Sequence, residues 1–326
     1  MNRMLLRIEN LSKTYPNGTR ALDDVSLAIP QGMFGLLGPN GAGKSTLMRI
    51  LATLQEPDAG HVHLGDPSQD SGQGIDVLRD KESVRRTLGY LPQEFGVYPK
   101  VSAEDLLDHF AVLKGITDRT ERRRLVDALL EQTNLQRDRG KQLGGFSGGM
   151  RQRFGIAVAL LGNPRLIIVD EPTAGLDPEE RVRFLNLLAE LGQNSIVILS
   201  THIVDDVSEL CSRVAIIDRG RIRLEDDPQA AVARMQGRIW RRVVARDELP
   251  RHQERYAVLS TKLLAGRTVV RVLSSERPEA GYEQAEPGLE DVYFAAMRDT
   301  HAPDSGLFAA DAKAAAPAFG SAGGGG

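Results

Sequence analysis

The sequence predicts an α/β fold, a mostly parallel sheet covered by helices on both faces, with a helical insertion and a smaller appended region. Three observations lead there. Five short apolar runs, at 33–37 (MFGLL), 88–91 (LGYL), 166–169 (LIIV), 196–199 (IVIL) and 214–217 (VAII), read as strands buried on both faces. Helical patterns separate them, the alternation expected of an α/β domain. A glycine-rich run, GPNGAGKST at 38–46, joins the first of these strands to a helical pattern beginning LMRILATL.

The remaining elements follow in order. The segments at 5–15 (LLRIENLSKTY), 21–30 (ALDDVSLAIP) and 60–66 (GHVHLGD) alternate as exposed antiparallel strands do. The polar stretch at 65–82 reads as a surface loop. From about 100 to 163 the pattern is helical throughout. It opens with a capping pattern from Ser102 to Asp105, and the run Arg122 to Arg124 reads as a solvated helix face. After IIDRGRIRLED, residues 226–299 read as helix, strand, helix, hairpin and helix, the hairpin turning at AGR (265–267). The expected organisation is therefore a main domain at 1–225, a small α+β domain at 226–299, and a disordered Ala/Gly-rich tail at 300–326.

Composition narrows the function classes. A formal charge of -3 and a pI near 6.1 supply no basic field, which argues against a nucleic-acid partner. The single cysteine, Cys211, has no partner for an internal disulfide and sits among apolar neighbours, as a buried structural thiol does. The first residues carry no apolar signal region, and runs such as IAVALL fall short of the roughly 18 residues that a membrane span needs. A chain that neither crosses a membrane nor is secreted is expected.

The chemistry gathers at strand ends, where open α/β sheets bind ligands. The spacing Gly38, four residues, Gly43, Lys44, Ser45 suits a phosphate cradle. Glycines let backbone N–H groups line a concavity, the following helix contributes its positive end, Lys44 reaches the terminal phosphates, and Ser45 is placed to ligate Mg²⁺. After LIIV come Asp170 and Glu171. Two adjacent carboxylates at a buried strand end are unfavourable unless a cation or a reaction uses them. Asp170 suits a Mg²⁺ ligand, direct or through water, and Glu171 suits the orientation or deprotonation of an attacking water. After LGYL comes Gln93, whose amide suits contact with both Mg²⁺ and water. After IVILST comes His202, placed to hydrogen-bond a γ-phosphate. His61 and His63 alternate in a strand without further ligands and read as surface residues.

A second glycine cluster, GFSGGMRQRF from Gly145, puts Ser147, Gly148 and Gly149 before another helix. Alone it would read as an N-cap with flexible glycines. GPNGAGKST, Gln93, FSGGM, LIIVDEP, GLDP and His202, in this order, make the chain resemble the nucleotide-binding subunits of ATP-binding-cassette (ABC) transporters over about residues 3–225. The resemblance implies the P-loop NTPase fold of the ABC ATPases, with an antiparallel β subdomain and a helical subdomain. It also implies head-to-tail pairing, each ATP being held between the phosphate loop of one cassette and the signature motif of the other, and a two-fold homodimer would complete two such sites.

On that resemblance Gly38, Asn40, Gly41, Gly43, Lys44, Ser45 and Thr46 hold ATP and Mg²⁺, with Ser45, Gln93 and Asp170 as metal contacts. Glu171, Gln93, His202 and Lys44 serve catalysis, and Ser147, Gly148 and Gly149 close on the γ-phosphate from the partner chain. Asp177 in GLDP resembles the loop that links the two sites, and before Pro178 it also suits a helix N-cap. Tyr15 matches the aromatic that stacks on adenine, and a tyrosine before PNG also suits a turn anchor. The signature departs from its commonest form, with Phe146 for leucine and Met150 for glutamine.

AVLKGI after LPQEFGVYP, and the ending PGLEDVYFAAM, look like cassettes of type-2 (ABC-2) exporters. The resemblance thus implies an ATPase on the cytoplasmic face of a membrane, driving a separate permease. The competing expectation is a soluble cassette ATPase acting on DNA or ribosomes. Such proteins usually carry a long coiled coil, a second cassette or zinc modules, none of which this sequence shows.

Overall fold

The computed structural model describes residues 4–66, 74–93, 95–96, 98–172 and 176–298. The chain divides into two compact units, Met1–Ile222 and Arg223–Gly326. The tail at 300–326 and residues 67–73 of the polar stretch lie outside the described residues.

The first unit starts with β1 (Leu5–Thr14), β2 (Arg20–Pro30), β3 (Gly32–Leu37), α1 (Lys44–Leu51), β4 (Ala59–Gly65), β5 (Ile75–Asp76), α2 (Lys81–Thr87) and β6 (Leu88–Leu91). Strands β2, β1, β4 and β5 form an antiparallel sheet in that order. One face of it is exposed, at Glu9, Ser26, Ala28 and His61, and alternation turns Leu6, Ile8, Leu22, Val25, Leu27 and Ile29 inward, where they share one core with Phe34, Met48, Ile168 and Ile198. The described part of the polar stretch, from 74 to 82, is not all loop. Ile75–Asp76 extends the sheet, and Asp80 caps α2 by accepting the Ser83 N–H at 3.1 Å.

The helical insertion holds α3 (Ala103–Leu113), α4 (Arg119–Gln132) and α5 (Gly148–Ala159), packed on one another. Ser102, Asp118 and Ser147 cap them, each side-chain oxygen accepting the N–H three residues on. Arg122 is not solvated: its guanidinium donates to Asp108 at 2.8 Å and to the Thr117 carbonyl at 2.7 Å, and only Arg123 and Arg124 are exposed.

Next come β7 (Leu166–Asp170), α6 (Pro178–Gly192), β8 (Ile196–Thr201), α7 (Val204–Leu210), β9 (Arg213–Asp218) and β10 (Arg221–Asp226), the last running across the division between the units. The central sheet has the order β10-β9-β3-β8-β7-β6, and β9, β3, β8, β7 and β6 are mutually parallel. Their carboxyl ends therefore meet along one edge. Cys211, 3% exposed after α7, has its thiol pushed up to about 12 by burial and by the neighbouring charge of Asp206.

The second unit holds α8 (Pro228–Ala233), β11 (Ile239–Val244), α9 (Leu249–Arg255), β12 (Ala257–Leu264), β13 (Arg267–Leu273), β14 (Glu283–Gln284) and α10 (Leu289–Arg298). The strands form an antiparallel sheet in the order β12-β13-β11-β14, around Val244, Val258, Val270, Val272 and Tyr282. The two-residue β14 is an addition to the sequence reading.

Candidate nucleotide site

The loop from Gly38 to Gly43 is fixed by close approach of backbone. A Cβ on Gly38 would stand 2.4 Å from the Ile217 carbonyl, and one on Gly43 would stand 2.4 Å from that of Ala21. Gly43 also holds φ 111, a conformation that side chains resist, and it precedes α1 with no side-chain cap. The first N–H groups of α1 are thus left without a side-chain acceptor, the arrangement that receives an anion.

Lys44 is 6% exposed, and its Nζ donates to the Gly38 carbonyl at 2.6 Å and the Pro39 carbonyl at 3.2 Å. Burial lowers its pKa, while the charges of Glu171 and Asp170 oppose that shift. The ammonium is therefore held at the centre of the loop, facing the two carboxylates of β7 and its end.

Around this loop lies a cavity of about 560 Å³ whose lining includes Asn40, Gly41, Gly43, Lys44, Ser45 and Thr46. Gln93, Glu171 and His202 form another part of its wall. They come from the ends of β6, β7 and β8, and they touch: Gln93 Nε2 donates to Glu171 Oε2 at 3.2 Å, and His202 Nδ1 lies 3.2 Å from Glu171 Oε1. Glu171 reaches this position in left-handed backbone, φ 48, with its N–H donating to the Ser200 carbonyl at 2.8 Å. Such a conformation costs a non-glycine residue on the order of 1–3 kcal/mol, and the surrounding strands hold it there.

The residues also suit Mg²⁺. Asp170 is 5% exposed, and its negative charge acts on both Lys44 and Tyr90. The donation from Gln93 Nε2 leaves its amide oxygen unspent in that bond, and Ser45 presents a hydroxyl at the cavity. These are hard oxygen donors, the kind Mg²⁺ takes together with phosphate and water. Among the described residues no three His, Cys, Asp or Glu side chains converge as a metal cage.

Tyr15 lines the cavity, with its hydroxyl 3.1 Å from Thr46 Oγ1 and donating to Gln55 Oε1 at 3.2 Å. The hydrogen bond to Thr46 is the main reason its pKa is lowered. Ser147, Gly148 and Gly149 are not among the residues that line this cavity, nor is Asp177. Ser147 caps α5 through the Met150 N–H at 3.2 Å, and Asp177 caps α6 through the Glu180 N–H at 2.8 Å.

Sequence reading missed Thr19 and Ala21, which line the cavity, Gln55, and a link between the two caps. The Glu180 carboxylate lies 2.1 Å from where a Cβ on Gly149 would stand, and Arg153 pairs with it at 3.4 Å. No spacing rule connects these residues, because the contact joins two helices across a connection.

The family model described as "ABC transporter" matches residues 22–174. The "Uncharacterized ABC transporter ATP-binding protein YxlF" of Bacillus subtilis is 31% identical, over 89% of this chain and 98% of its own length. The "Doxorubicin resistance ATP-binding protein DrrA" of Mycobacterium tuberculosis is 37% identical over 68% of this chain and 65% of its own. The "Probable multidrug ABC transporter ATP-binding protein YbhF" of Escherichia coli is 29% identical over 90% of this chain, which spans about half, 52%, of that relative. A solved dimer of the ATP-binding cassette MJ0796, in a post-hydrolysis state with ADP and Pi, superposes with a TM-score of 0.60 at 29% identity, over 68% of this chain and 98% of that one. By these similarities the chain belongs to the ABC transporter family as one of its ATP-binding subunits.

Proposed function

We propose that the chain hydrolyses ATP as one of two identical, head-to-tail subunits and drives a separate ABC-2 type permease in export. The observation that carries this reading is the contact of Gln93, Glu171 and His202 on one wall of the cavity that holds the phosphate loop.

The backbone N–H groups from Gly41 to Thr46 and the Lys44 ammonium bind the β- and γ-phosphates. Ser45, Gln93 and Asp170 would hold Mg²⁺, which would supply charge neutralisation on the phosphate oxygens. Glu171 Oε1 and Oε2 accept from their neighbours in a fixed direction, so the carboxylate is oriented to receive a proton from water attacking the γ-phosphate. His202 steadies that carboxylate and reaches the γ-phosphate, and the face of Tyr15 takes the adenine.

Ser147 caps α5, and neither it nor Gly148 or Gly149 lines this cavity, so the three would serve the nucleotide of the partner subunit. The Arg153 to Glu180 ion pair ties that signature helix to α6, and the α6 cap Asp177 would serve to link the two sites. Gln93 joins the sheet to the helical insertion, so its contacts with the γ-phosphate side would move the surface offered to a permease.

No helix among the described residues is long and apolar enough to cross a membrane; in this reading a separate permease supplies the membrane-spanning part. The relatives named for multidrug transport and doxorubicin resistance favour export, and a peripheral place on the cytoplasmic face follows from that reading. The domains follow the same logic: residues 1–225 form the motor, and 226–299 are an accessory to it. Phosphate release from Mg·ATP by the purified chain, abolished in Lys44→Ala, tests the activity. Reconstitution with a co-purifying membrane protein tests the coupling. A chain that binds ATP without releasing phosphate in either setting would overturn the reading.

A further inference from the structure

The hairpin of β12 and β13 ends in a tip that the nucleotide site does not use. Ala265 at φ 48 and Gly266 at φ 77 turn it tightly, and beside them Leu263 is 73% exposed, Leu264 57% and Val243 of β11 54%. The register puts these side chains on both faces of the sheet. Leu263 stands opposite Thr268, which stands opposite Val244 of the core, while Leu264 stands opposite Arg267 and Val243 opposite Val269 on the other face.

Leu263, Val243, Arg246 and Arg267 border one open cavity of about 580 Å³. Lys262 and Arg271 pair with Glu290 and Asp291, and Glu248 is spent on the Ala245 N–H at 3.1 Å. Among the described residues Arg246 and Arg267 have no ion pair, and Asp247, next to Arg246, does not border the cavity. A protein docking on a sheet covers one face. A tip with apolar side chains on both faces and unpaired cations at its rim is covered fully by a medium that surrounds it and carries negative charge.

We propose that this tip enters the headgroup region of an anionic bilayer, the leucines at the acyl boundary and the arginines on lipid phosphates. So few groups make a reversible anchor, suited to a subunit also held by a permease. The proposal does not depend on ATP hydrolysis, so the two fail separately.

The test uses the full chain without nucleotide, sedimented with vesicles of phosphatidylcholine alone or of equal parts phosphatidylcholine and phosphatidylglycerol. The expected result is binding to the mixed vesicles only, weakening as salt rises. The bound-to-free ratio should fall roughly tenfold or more in Leu263→Ser with Leu264→Ser, and likewise in Arg246→Gln with Arg267→Gln. Both variants change exposed side chains, so wild-type melting temperatures and ATP turnover are expected. Three results would each overturn the proposal: wild type left in the supernatant, binding as strong as wild type in either variant, or light scattering in which the leucine variant turns a nucleotide-free dimer into a monomer. The last would give the tip to a second copy.

Discussion

Gln93 and Glu171 stand 78 residues apart in sequence and are joined by a 3.2 Å hydrogen bond from Nε2 to Oε2. The bond crosses from the end of β6 to the end of β7 and fixes one carboxylate oxygen, while His202 holds the other. A charged side chain oriented from both sides, in a backbone conformation that side chains resist, is arranged for use.

Glu171→Gln retains the length of the side chain and removes its charge. Turnover should fall by at least about 10²-fold, with ATP affinity within a few-fold of wild type. Phosphate release and equilibrium nucleotide binding, measured on the same preparation, check this. Unchanged turnover would remove Glu171 from the chemistry.

Gly43→Ala tests the phosphate loop. The added Cβ meets the Ala21 carbonyl at 2.4 Å and must adopt φ 111, so a stability loss of about 1–3 kcal/mol is expected together with loss of nucleotide binding. Thermal melts with and without Mg·ATP read both. A variant whose melting temperature still rises with Mg·ATP as wild type does would contradict the cradle.

Much of this site was legible because each group follows an apolar run that is buried on both faces, and β3, β6, β7 and β8 read without ambiguity. The caps Ser102, Ser147 and Asp177 were legible too, since N-capping depends on local spacing alone. What stayed hidden depends on distant chain. Helix α2 is seven residues of mostly charged sequence with Val84 as its buried anchor, too short to show a period. The approach of Glu180 to Gly149, and of Gln55 to Tyr15, follows from how elements pack, which no local pattern records.

In the second unit, the PGLEDVYFAAM ending has a physical reason. Asp291, 3% exposed, accepts from Arg271 Nε at 2.8 Å and Nη2 at 2.7 Å, and from the Gly288 N–H at 2.9 Å. Asp291→Ala leaves the Arg271 guanidinium without its carboxylate, on the Glu286 carbonyl at 2.7 Å, and should destabilise this unit by about 3–5 kcal/mol. Hydrogen exchange localised to β11, β13 and α10 checks it. Wild-type protection there would contradict the role.

Cys211 makes stability fall at alkaline pH. The folded thiol holds its proton up to about 12, whereas the unfolded thiol loses it near the ordinary value of 9.0, so between them the folded chain binds more protons. Stability conferred by the buried thiol is full below that window and lost as pH rises through it. Melting temperatures of wild type and Cys211→Ala across this range should converge with rising pH. Parallel curves would contradict the burial effect.

The most direct measurement is the mass of the Glu171→Gln chain by light scattering, with and without Mg·ATP. Twice the chain mass is expected with nucleotide and a single chain mass without it. Adding Ser147→Ala should return the mass to a single chain that still binds ATP, because Ser147 stands outside the cavity of its own chain. A single-chain mass under every condition, with wild-type turnover per chain independent of concentration, would mean that one copy holds a complete site.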